Sequence, residues 1–287
     1  MATVFQGKDE KKNQTVAIKV LKPMLASDDT LRQRFEREYE VCCRLDHKNI
    51  IKVFGAGLVN DNLPYCVLEF LPFPNLSAQL KEKGVFVASK VSSILFSLAQ
   101  ALQHCHERDV IHRDIKPENI IITKDGRPVL VDFGLTLDTA AYTKLTAVGK
   151  TLGTPPYMSP EQFKAQKVDG RSDIYQLGLV GYELLTGKRA FPQEEMEDLV
   201  HHVFRVGPIP IEEAAPDTPE ELIDIIERAS EPHIEERFPN AAEMAKALGS
   251  LGQNAKRGSS QAVPLPHINI NTFVAILLLL VFLFLLW

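Results

Sequence analysis

The sequence predicts an α+β protein in two unequal parts, a small strand-rich part and then a larger helix-rich part, with an apolar segment at the C-terminal end. Three observations carry this. Residues 3–22, 50–57 and 64–70 alternate or run in β-branched side chains, as strands do. From about residue 88 onward apolar residues recur at helical spacing. Residues 273–287 carry no charged and no strongly polar side chain.

The elements follow in order. Residues 3–22 read as strands, with 15–21 (TVAIKVL) the most β-branched. Residues 28–45 form a charged amphipathic helix whose face is Leu31, Phe35, Glu38, Cys42 and Leu45, with Asp28 or Asp29 as N-cap. A glutamate inside that apolar stripe needs a partner. Strands over 50–57 and 64–70 end at Pro72-Phe73-Pro74. The next helix, about 88–105, buries Val91, Ile94, Leu95, Leu98, Leu102 and Cys105. Short strands flank the turn Lys124-Asp125-Gly126. Helices are predicted at about 172–186, 194–205, 219–229 and 240–250. Residues 251–267 lose periodicity and collect Gly, Ser, Gln and Pro, which reads as a linker.

Of 287 residues, 45% are hydrophobic and 24% charged, as in ordinary globular proteins. A net charge of -5 offers no basic excess for nucleic acid. Cys42, Cys43, Cys66 and Cys105 form no CxxC pair and have no histidine at zinc-ligand spacing, so they read as reduced, buried thiols of a cytosolic domain. The N-terminus shows no apolar h-region of a signal peptide. At the other end, a helix over 273–287 would rise about 22 Å, and one begun at Ile268 about 30 Å, the thickness of a hydrocarbon core. Lys256 and Arg257 precede this stretch and no positive charge follows it, which places the N-terminal side in the cytoplasm. The expectation is a single membrane pass over 268–287 in contact with lipid, and Trp287 suits an interface.

Four short motifs stand in a fixed order. Val16-Ala17-Ile18-Lys19 comes first, then His112-Arg113-Asp114-Ile115-Lys116-Pro117-Glu118-Asn119, then Asp132-Phe133-Gly134, then Ser159-Pro160-Glu161. Each alone is weak; together, at these separations, they are specific. Over roughly residues 1–250 the chain resembles the Hanks-type, eukaryotic-like protein kinases of bacteria. The resemblance implies a bilobal fold, with an N-lobe over 1–71 and a C-lobe over 72–250. It also implies transfer of the ATP γ-phosphate to Ser or Thr hydroxyls of proteins, with Mg²⁺.

Phosphoryl transfer asks for positioning and charge neutralisation more than for covalent chemistry. By resemblance Asp114 is the catalytic carboxylate, and Lys116 neutralises the phosphate in flight and marks a Ser/Thr rather than a Tyr kinase. Asn119 and Asp132 supply hard oxygens for Mg²⁺. The resemblance also implies that Lys19 meets the nucleotide phosphates with Glu38 as its partner, the alternative for Glu38 being a solvated helix charge beside Glu36 and Glu40. Val4, Ala17, Leu68 (the gatekeeper), Glu69 and Leu71 border the nucleotide. Thr154 sits beside Asp114 and Lys116. The resemblance further implies that Arg113 would receive a phosphate on the loop 135–153, with Thr143, Thr146 and Thr151 favoured, the alternative being a polar loop that is simply Thr-rich. Asp173 holds the catalytic loop, and Glu161 pairs with Arg237. Glu118 hints at basic residues near the target, with a plain surface carboxylate as the equal alternative.

One part departs from the family. The pattern G-x-G-x-x-G-x-V ends on Val4, so its third glycine falls on Ala2 and the first two would precede Met1. The expectation is a coding sequence that continues upstream with in-frame glycines; the alternative is a chain without that lid. Two rival functions follow: a membrane-anchored pseudokinase scaffold, or a small-molecule phosphotransferase, which the peptide platform around Gly153-Thr154 and Ser159-Pro160-Glu161 disfavours. A second copy of the chain is a candidate partner.

Overall fold

The computed structural model describes residues 2–26, 29–59, 63–133 and 155–260, apart from some side chains between residues 25 and 41 and those beyond Leu251. The chain divides into two units, Met1–Leu251 and Gly252–Trp287. In the first, strands β1 (Ala2–Asp9), β2 (Gln14–Leu21), β3 (Val53–Val59) and β4 (Leu63–Glu69) form an antiparallel sheet in the order β1-β2-β4-β3. The β1–β2 turn closes because the Asp9 carboxylate accepts from the N–H groups of Lys11 and Lys12, while Asn13 takes the left-handed conformation that its short polar side chain tolerates.

The short helix α1 (Pro23–Ala26) and the helix α2 (Asp29–Cys42) follow β2. The predicted stripe holds where its side chains are described: Phe35, Cys42 and Leu45 are buried. Cys66 and Cys105 are buried too, but Cys43 is exposed, against the expectation for all four thiols. Neighbours on a helix point about 100° apart, so Cys42 and Cys43 cannot share the inward face.

The larger part is built on α4 (Ala88–His106), reached through α3 (Leu76–Lys83). The predicted inward face of α4 is buried at every named position. It packs on α6 (Gly170–Thr186), which follows the single turn α5 (Pro160–Phe163) and is buried along all of residues 172–186. Two helices close around α6. Gly178 lets α9 (Glu220–Ala229) approach, since a Cβ there would lie 3.1 Å from the carbonyl oxygen of Ile226. The remaining pieces are α7 (Met196–His201), which continues as one wider turn over His202–Val206, then α8 (Ile211–Ala214) and α10 (Ala241–Ser260). The helix predicted at 194–205 is thus split between two helix types.

A two-stranded ribbon, β5 (Ile120–Ile122) and β6 (Pro128–Leu130), straddles the predicted turn. It ties the two parts together: Leu130 N–H donates to Asn49, and Leu130 C=O accepts from Ile51 N–H, each at 2.9 Å. The predicted strand over 50–57 begins later, at Val53, because residues 49–51 are spent on this junction. Where a linker is expected from 251, helical backbone continues to Ser260. The apolar stretch 268–287 lies outside the described residues; among those described, no helix is long and apolar enough to cross a membrane.

Candidate active site

Lys19 is central in β2, opposite Val4 on β1 and Cys66 on β4. Its Nζ lies 3.1 Å from Oδ1 of Asp132. The Asp132 side chain is 51% exposed, so this pair adds little stability. Asp132 also has left-handed backbone, φ 56°, just beyond β6. A half-exposed carboxylate in that conformation keeps an oxygen open to a ligand beside Lys19.

The second group is the loop between α4 and the 3₁₀ turn Pro117–Asn119. Lys116 Nζ donates to both carboxylate oxygens of Asp114, at 3.0 and 2.8 Å. Asn119 Nδ2 donates to the Asp114 carbonyl at 2.8 Å and to Oδ2 at 2.9 Å. With its N–H groups spent on Asp114, Asn119 has its amide oxygen left for a hard cation. The two groups are joined, since Val131 N–H donates to Asn119 C=O at 2.9 Å. Among the described residues no cluster of three His, Cys, Asp or Glu could hold a metal alone. One carboxylate and one amide oxygen suit Mg²⁺, which keeps much of its shell in water and phosphate oxygens.

The loop hangs on α6. The Asp173 carboxylate is fully buried and accepts from His112 N–H (2.9 Å), Arg113 N–H (2.8 Å) and His106 Nε2 (2.8 Å). Burial pushes this carboxyl up, but the hydrogen bond from His106 and the backbone N–H of Arg113 outweigh it and hold it below its usual range. Arg113 is left-handed, φ 67°, which costs a non-glycine residue roughly 1–2 kcal/mol. The His112 ring lies 4.5 Å from that of Phe133, and its Nε2 donates to Val131 C=O at 3.2 Å. Burial holds this imidazole below its usual value, so it is neutral; Nε2 carries the proton and Nδ1 accepts from Asp114 N–H at 3.3 Å.

His47 and His104, with rings 5.4 Å apart, are likewise lowered, first by burial. For all three the unfolded chain takes up a proton below about 6.5 that the folded chain refuses, so their contribution is full above that value and lost as the pH falls beneath it. Glu183 and Glu227, raised by burial, act in the opposite sense. His104→Gln is therefore expected to lose less stability than the parent between about pH 7.5 and 5.5 in denaturant titrations; equal losses would contradict this.

The remaining predicted residues fall as follows. Leu68 lines a pocket with Lys19, Asp132, Phe133, Cys42 and Cys66. Ala17 pairs with Leu68, and Val16 with Glu69, across β2–β4. Glu69 and Leu71 line a shallow depression with Phe73 and Arg127. Val4 is exposed on β1. The side chain of Glu38 lies outside the described residues, as do Thr154 and the threonines of 135–153. Glu161 and Arg237 meet through two bonds of 2.8 and 3.0 Å, and both are buried. Sequence reasoning misses Gln176, although it stands three residues after Asp173 on the same helix face; its Oε1 accepts from Ile115 N–H at 2.9 Å. It misses Tyr157 as well, whose hydroxyl donates to the buried Glu183.

Comparison with known proteins decides the family, because the protein kinase domain matches residues 1–247. The chain belongs to the protein kinase family. It is 37% identical over 273 residues to a protein of Corynebacterium glutamicum described as a probable serine/threonine-protein kinase PknB, an alignment covering 91% of this chain and 42% of that protein. It is 33% identical to serine/threonine-protein kinase PknB of Mycobacterium leprae, over 86% of this chain and 40% of that one. The chain thus spans about two fifths of these relatives. The crystal structure of the Mycobacterium tuberculosis PknI kinase domain, solved as a cysteine-to-alanine mutant, superposes with a TM-score of 0.68 at 26% identity, covering 88% of this chain and 91% of that one. The expected two-lobed α+β fold is the fold of this family.

Proposed function

We propose that the chain transfers the γ-phosphate of ATP to Ser or Thr hydroxyls of protein substrates, with Mg²⁺. The observation that carries this reading is the grip of Lys116 and Asn119 on the Asp114 carboxylate, two and five residues along the same loop. Asp114 orients the incoming hydroxyl and accepts its proton. Lys116 places a cation where charge builds on the transferred group, which is the feature that points to Ser/Thr substrates. Lys19 and Asp132 supply the opposite charges needed at the phosphates and at a cation. Mg²⁺, held by Asn119 and Asp132, would neutralise phosphate charge. Relatives named as serine/threonine-protein kinases support the same assignment. The terminal stretch 268–287 adds a membrane attachment to this reading, and phosphorylation within 135–153 adds activation by pairing with Arg113.

The test is transfer of radiolabelled phosphate from ATP to a generic basic protein, with Lys19→Ala and Asp114→Ala beside the parent chain. Transfer by the parent and its loss in both variants is expected. ATP binding without transfer would replace this reading with the scaffold. For the terminal stretch, co-sedimentation with phospholipid vesicles is expected to be lost when 268–287 is removed; undiminished co-sedimentation would refute attachment by that segment.

A further inference from the structure

Two buried glutamines stand where the catalytic loop meets the end of the activation segment. Gln176 projects from α6, and Gln162 from α5. The Gln176 side chain brackets Asp114. Its Oε1 accepts from Ile115 N–H at 2.9 Å, and its Nε2 donates to Arg113 C=O at 3.1 Å. The residues on both sides of the carboxylate are therefore held by one amide. The second Nε2 proton goes to Gln162 Oε1, also at 3.1 Å. Gln162 Nε2 in turn donates to the same Arg113 carbonyl at 3.0 Å. Gln162 Oε1 further accepts from the N–H and the hydroxyl of Ser159, at 3.0 and 3.1 Å.

The orientation of both amides is forced. Ile115 N–H and Ser159 N–H need acceptors, and Arg113 C=O needs donors, so flipping either amide would set like against like. The side chains are 2% and 6% exposed, which leaves water little access to replace these bonds. Their target is the left-handed Arg113. Asp173 holds only its N–H, and a strained residue persists where its surroundings over-determine it.

We propose that Gln176 and Gln162 form a positioning couple. Gln176 sets the backbone on either side of Asp114, and Gln162 links that setting to Ser159 at the start of the helix that ends the activation segment. The proposal rests on the phosphotransfer reading above and deepens it. Both glutamines act through backbone and touch no reacting atom. A displaced Asp114 lowers the rate of transfer, while the Lys19–Asp132 group that meets the nucleotide is left in place.

The experiment uses the full chain. Gln176→Leu keeps the bulk and removes both hydrogen-bonding atoms; Gln162→Leu leaves the Ile115 bond and cuts the link to Ser159. Gln176→Leu is expected to lower kcat by ~10- to 100-fold with KM for ATP within about twofold. Gln162→Leu is expected to cost less, and the double variant less than the product of the two, because they share Arg113 C=O. Amide hydrogen exchange at Ile115 should speed up in Gln176→Leu while α4 stays protected. If Gln176→Leu does not fold, Gln176→Glu replaces it: its carboxylate still accepts from Ile115 but repels Arg113 C=O and Gln162 Oε1, so a fall in kcat with Ile115 still protected is expected. A folded Gln176→Leu with parental kcat, or multiplicative effects of the two substitutions, overturns the proposal. If the parent transfers no phosphate, the phosphotransfer reading fails, and exchange at Ile115 alone decides the couple: unchanged protection in Gln176→Leu refutes it.

Discussion

Asp114→Asn is expected to lower kcat for phosphate transfer by ~10²- to 10⁴-fold, the range for loss of a positioned general base. The substitution is nearly isosteric. An amide oxygen at this position still accepts from Asn119, so the loop keeps its shape, but no basic group remains for the hydroxyl proton. Lys116 then faces a neutral amide in place of the two oxygens it bridges at 3.0 and 2.8 Å. Lys116→Ala should also slow transfer, and the double variant should be little worse than Asp114→Asn alone, since groups that act as a unit are not additive. Steady-state kinetics on a Ser-containing peptide reads all three. An Asp114→Asn chain with parental kcat would remove Asp114 from the chemistry.

The largest expected effect on stability comes from Arg237→Met. Arg237 is 2% exposed and makes two bonds to Glu161, and it also donates to the carbonyls of Arg171 (3.1 Å), Glu231 (2.7 Å) and Pro232 (3.2 Å). Its guanidinium stacks 4.6 Å from the Tyr175 ring. Burial pushes the Glu161 carboxyl up, but Arg237 and the Ser172 hydroxyl hold it below its usual range. Removing the arginine strands that carboxylate, at a cost of ~3–5 kcal/mol. Glu161→Leu combined with Arg237→Met should recover part of this, because no charge is then buried alone; the Glu231 and Pro232 carbonyls and the Ser172 hydroxyl still lose the partner they had. Denaturant titration measures both. A single Arg237→Met within about 1 kcal/mol of the parent would show that the pair does not anchor this region. The sign of the pH effect follows from the depressed Glu161 value: its contribution is complete above the ordinary carboxylate value of 4.5 and fades as the pH falls through the lower folded value.

The elements legible in the sequence are those whose side chains report their surroundings. The inward face of α4 is readable from its spacing, because one stripe meets one neighbour. Helix α6 is harder to read as an amphipathic helix, since nothing on it faces water from residue 172 to 186. Helices α1, α5 and α8, one turn each, are too short to show a period. In the site, Lys19, Asp114, Lys116, Asn119 and Asp132 stand out because they belong to short motifs whose order and separation resemble those of a known family. Gln176 cannot, because a glutamine inside an apolar helix carries no hint of which backbone groups it satisfies. The conformations of Arg113 and Asp132 are likewise invisible, as neither residue type demands positive φ.

The enclosure of α6 bears on how the two lobes can move. A rod surrounded on every side has no direction in which to slide without opening a void. Whatever hangs from it, including the segment around Asp114, is expected to hold its place with it. If the proposed nucleotide is enclosed by a movement, that movement is expected of the four-stranded sheet that carries Lys19, which is joined to the larger part near β6 by the backbone bonds at Asn49 and Ile51.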